Sequence, residues 1–218
     1  MIGGVAAAIT MTVIFLLRDP AAARYLPPAD GVFLAAVLAG CLWIAMAAQR
    51  SPGSNRLAPH LGVAAAFILV VGQLLLIRAS HDPRITPAGH QSLDGLAALW
   101  FWFGPVAVFL FPAFAAGSVG RSFRAGLQAG IWAAIASLPL TYALWLHEAL
   151  RLYAINGGLL WFGDGAPEGE NLSAALFWAL RFAPLLGLPF AAIGAAIGAN
   201  TARPPAGQAQ HSAATIKP

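Results

Sequence analysis

The side chain best placed to do chemistry in this sequence is Arg181, the only formal charge in the apolar stretch 172–199. A guanidinium inside such a run is costly in lipid and needs a counter-charge or a hydrated cavity. Phe177 and Trp178, four and three residues earlier, share its helical face and can stack on the guanidinium. Glu148, near the end of the preceding apolar run, is the expected counter-ion. Arg181, Glu148 and Trp178 therefore make up the candidate ligand site, one suited to a carboxylate or another anion. The competing reading is structural: an arginine that reaches the headgroups along its own stem, or one that closes an ion pair with Glu148.

A second constellation is His81, His90 and His147, with Asp82 and Glu148 beside them. Three imidazoles and a carboxylate can hold zinc or copper. The spacing argues for solvated loop histidines instead, since no His-x-x-x-His pair occurs and His81 and His90 fall in a polar loop. A bis-histidine haem site fails on placement, because His60 and His147 lie at opposite ends of their helices. The sequence contains no His-Glu-x-x-His, no Gly-x-Ser-x-Gly, no phosphate-cradling glycine loop and no cysteine pair. No catalytic residue and no cofactor is implied.

Composition says what must position these groups. Hydrophobic residues make up 59% of the 218 positions and charged residues 9%, with a mean hydropathy of +0.74. Soluble domains carry about 25% charged residues, so a water-soluble fold is excluded. The pI near 10.0 and net charge of +4 come from cations scattered singly between apolar runs, with no basic stripe to follow a nucleic acid. Eleven Arg against one Lys, with abundant Ala and Gly, is the codon signature of a GC-rich bacterium and bears on source alone. The single cysteine, Cys41, lies in an apolar run and reads as a small buried residue.

Six apolar runs follow one another, at about 1–17, 31–48, 57–77, 96–119, 127–146 and 172–199. About 20 such residues cross a bilayer. The expected fold is all-α: a polytopic integral membrane bundle of six transmembrane helices over 1–199, then a disordered tail over 200–218. The first run lacks the leading positive charge of a signal peptide, although Ala21-Ala22-Ala23 resembles a cleavage site. It reads as a short first span. Gly104-Pro105, Pro112, Pro184 and Pro189 interrupt the later spans, and such breaks survive only where neighbours or water satisfy the freed carbonyls. Gly126/Gly130 and Gly194/Gly198 permit close helix approach, expected within the chain. Hydroxyls at Thr10, Thr12, Ser137 and Thr141 are expected to bond their own helix backbone, and Gln73 to tie two helices together.

Six spans place Arg50, Arg56, Arg121, Arg124, Arg203 and Lys217 on one side with no acid. The other side holds five arginines and all eight acids. Short basic turns face the cytoplasm, so both termini are expected there, in the plasma membrane. Arg18, directly after the first span, pulls the other way. Trp100, Trp102, Trp145, Trp161 and the three tyrosines fall where an interfacial aromatic belt would lie. The loops after the first and third spans share an order of Arg, Asp-Pro, Arg, Pro and Asp-Gly, which either a repeated hairpin or common turn chemistry produces. Spans without acids point to a non-enzymatic accessory or scaffold subunit meeting a membrane-protein partner. The alternative is a small carrier or channel using Arg181 in an outward-facing cavity.

Overall fold

The computed structural model describes residues 2–18, 20–49, 57–82, 84–156 and 170–201. They form an all-α helical membrane bundle. Helix α1 (Ile2–Arg18) is followed by a 3-10 turn (Pro20–Tyr25) and then by α2 (Pro28–Gln49) and α3 (Leu57–Ser80). Two helices of 34 residues follow, α4 (Pro87–Gly120) and α5 (Phe123–Asn156). The last rod is composite: α6 (Glu170–Ala175), a π-helical segment (Leu176–Phe182) and α7 (Ala183–Thr201). Five of these rods are long and apolar enough to cross a bilayer. The sixth, α1, has 17 residues, or ~25 Å at ~1.5 Å per residue.

Local chemistry fixes the helix starts. Pro28 opens α2 where no backbone donor is needed, and Asp30 in its first turn complements the helix dipole. Thr86 caps α4, accepting from the Gly89 N–H at 3.3 Å, with Pro87 next. That start overturns the long loop expected over 78–95, because α3 persists to Ser80 and α4 begins at Pro87. It also runs through Pro105 and Pro112 without ending. In the last rod, described from Glu170, the Ser173 hydroxyl donates back to the Glu170 carbonyl. The two connections that share an order of residues differ in backbone. The first holds the 3-10 turn, while in the third the Asp82 side chain accepts from the Arg84 N–H at 2.9 Å. The loop 157–169 and the tail 202–218 lie outside the described residues.

Helix α5 is the axis, with 72% of its apolar window buried against 22% for α2. Helices α3, α4 and α7 pack around it, and α1 lies against its second half through Val5, Ala8 and Phe15. Thr12 gives its hydroxyl proton to the Ala8 carbonyl, so it is the Tyr142 hydroxyl that donates to Thr12, 3.0 Å away. Helix α2 joins by a narrow seam, burying Leu34, Leu38, Cys41 and Ala45.

Both glycine pairs are used inside the chain. A Cβ on Gly126 would sit 2.5 Å from the Ala113 carbonyl oxygen, and one on Gly198 would overlap the Phe114 carbonyl. Helices α4, α5 and α7 thus meet backbone to backbone at the end opposite Asp30 and Glu148.

Candidate functional site

Two carboxylates, Asp30 and Glu148, organise ion pairs between helices. The first centre depends on a helix defect. Pro184 has no N–H, and its ring crowds the carbonyl four residues back. The Ala183 N–H bonds to the Trp178 carbonyl, five residues earlier, and the turn widens into the π segment Leu176–Phe182. Such single-turn insertions sit frequently at functional sites. Phe177, Trp178 and Arg181 line one cleft across this wider turn.

Arg181 then points across to α2. Its Nη2 donates to Asp30 Oδ1, and its guanidinium carbon lies 4.7 Å from the centre of the Phe33 ring. Asp30 is 22% exposed and Arg181 40%, so the pair sits at the mouth of a cleft rather than deep in the protein. That cleft holds about 480 Å³ and is walled by Tyr25, Asp30, Glu170, Ser173, Trp178 and Arg181. The expected partner, Glu148, is elsewhere, and the expected stacking ring, Trp178, gives way to Phe33. Trp178 still lines the cleft beside Arg181.

Glu148 is the second centre, and its side chain is fully buried. Arg151 Nε donates to Oε2 at 2.7 Å and Arg78 Nη2 to Oε1 at 3.3 Å, while His147 Nδ1 lies 3.0 Å from Oε1. One carboxylate therefore ties α3 to α5 and holds two guanidiniums at the helix ends. Charge-assisted bonds of this kind are among the stronger ones available to a protein.

The histidines are not brought together. His81 Nδ1 lies 2.8 Å from the Ile77 carbonyl of its own helix, and His147 belongs to Glu148. His90 falls in the first turns of α4, with its side chain outside the described part. Among the described residues no group of three His, Cys, Asp or Glu side chains could hold a metal.

The aromatic belt is in part an internal cluster. Phe101 packs against Trp145 and Trp178, with ring centres 5.8 and 5.0 Å apart, and Trp178 packs on Phe182 at 4.8 Å. Tyr142 is fully buried and Trp145 is 9% exposed, so both pack against other helices. Trp161 is outside the described residues. Apolar helices, a proline-induced π turn and two carboxylate-centred ion pairs define a helical membrane protein. No family model, curated protein or solved structure matches the chain.

Proposed function

We propose that this is a multi-pass plasma-membrane protein of bacterial type, with six spans and both termini cytoplasmic, acting as a non-enzymatic accessory or scaffold subunit. Its partner, another membrane protein, meets it at the end where the Arg181–Asp30 cleft opens. The observation that carries this reading is the cleft itself: about 480 Å³ of space edged by a charge pair, Glu170, Tyr25 and Ser173. A partner loop with one charge of each sign could exchange ion pairs there without leaving a charge unpaired, which limits the desolvation cost. Glu148, by contrast, is already taken up by two arginines and a histidine.

A carrier is the second reading. It is favoured by the π turn and by Pro184 and Pro189 in the rod that bears Arg181, since discontinuous helices are where many transporters bind solute.

Exchanging the pair, Asp30→Arg with Arg181→Asp, separates pairing from recognition. The exchanged protein is expected to stay folded while co-purification with its partner is lost. Retained co-purification would reduce the pair to an internal strut. Arg181→Ala that abolishes solute uptake in a folded, inserted protein would establish the carrier. Orientation is tested by Ser122→Cys, which should react with an impermeant thiol reagent only from the cytoplasmic side.

A further inference from the structure

The buried polar atoms behind Trp178 have no use in the cleft. Thr141 and Trp145 are 7% and 9% exposed. Neither the Thr141 hydroxyl oxygen nor the Trp145 indole nitrogen has a hydrogen-bond partner. This sets Thr141 apart from Thr12 and Ser137, whose hydroxyls bond carbonyls of their own helices. Buried orphans of this kind are rare in native structures and call for an explanation.

Both side chains line one small cavity, of about 20 Å³, together with Gln73, Pro105, Trp178 and Ala179. Gln73 is 8% exposed and comes from α3. Ala179 adds an acceptor. Its carbonyl would normally take the Ala183 N–H, but that group bonds to Trp178, and the following residue is a proline. By the same measure a water molecule needs about 10–15 Å³ and two to four polar partners. The cavity therefore has room for one water, and its walls offer an indole donor, a hydroxyl, an amide and a carbonyl. Larger ligands do not fit the volume, and the rings around it pack directly on one another.

We infer that this cavity, at the junction of α3, α4, α5 and the π segment, is a binding site for a single ordered water molecule. The water accepts from the Trp145 N–H and donates to the Thr141 hydroxyl and to the Gln73 or Ala179 oxygen. It satisfies the backbone that Pro184 leaves short of a donor, as ordered waters do at proline breaks in lipid. It lies ~10 Å along α5 from Glu148, seven residues away at ~1.5 Å each, so the polar interior extends below the ion pairs.

The test uses the full chain in deuterated detergent micelles. The Trp145 indole proton, assigned by its disappearance in Trp145→Phe, should show a cross-relaxation peak to long-lived water. That peak should survive Thr141→Ser and weaken or vanish in Thr141→Val. Thr141→Val and Gln73→Leu give a second readout that needs no assignment. A hydrated site loses a bonded partner, so the thermal midpoint should fall by several degrees in both. In a dry cavity the same changes remove unsatisfied buried polar groups and the midpoint should rise. A rise in both variants, or no water peak on the Trp145 indole of the unsubstituted protein, overturns the inference.

Discussion

Around Gly194 and Gly198, α7 lies so close to α4 that a single added methyl would meet carbonyl oxygen. Some four turns earlier the same rod meets α4 through large rings, with Trp178 and Phe182 set against Phe101 and Trp102. The first contact has no side-chain entropy to lose and gains from dense backbone packing. The second gains about 0.5–1.5 kcal/mol per well-oriented ring pair but spaces the helices apart, leaving room for a small cavity and a cleft. One rod can do both because Pro184 and the π turn divide it. The glycine end sets how the helices cross, and the aromatic end is left free to carry charges.

The largest expected effect strikes the glycine end. Gly198→Leu should abolish the folded state, since the Phe114 carbonyl is fixed backbone and cannot yield; monodispersity on size exclusion reports it. Next is Glu148→Ala at the charged end. Removing the shared carboxylate of a buried ion pair costs about 3–5 kcal/mol, and the lower figure applies because Arg78 and Arg151 both reach solvent. Thermal or denaturant unfolding in micelles measures the loss. Smaller is Pro184→Ala, which restores a donor and lets the π turn relax toward α. The drop in thermal midpoint caused by Arg181→Ala should be smaller in the Pro184→Ala background than in the parent protein, because the two changes act on one ion pair. The smallest effect is a gain. Arg121 ends α4 in the left-handed region at φ 45°, so Arg121→Gly should stabilise by about 1 kcal/mol, read as a higher thermal midpoint.

The rods were legible because ~20-residue apolar runs have few alternatives. What failed was neighbourhood. Arg181 is paired with Glu148 in the sequence because that acid ends the preceding span on the same side, yet Glu148 has Arg151 three residues on, a helical neighbour visible without any structure. Asp30, in the first turn of another span, was one of several remaining acids, and nothing in the sequence singles it out. The π turn also had a signal in Pro184, though a proline announces a disturbance without saying whether the helix kinks or widens. The buried roles of Tyr142 and Trp145 had none, because an amphipathic ring suits both a headgroup and a core. Which it joins depends on the rods that flank it.

Helix α2 meets the others by Leu34, Leu38, Cys41 and Ala45 along its length and by Asp30 and Phe33 at its start. Much of the rest of its surface, Val32, Trp43 and Met46 included, is exposed. Its position consequently owes as much to the pressure and thickness of the surrounding lipid as to the polypeptide. A detergent that wets that flank competes with a limited contact surface, so solubilisation should release α2 first, starting from the end away from Asp30.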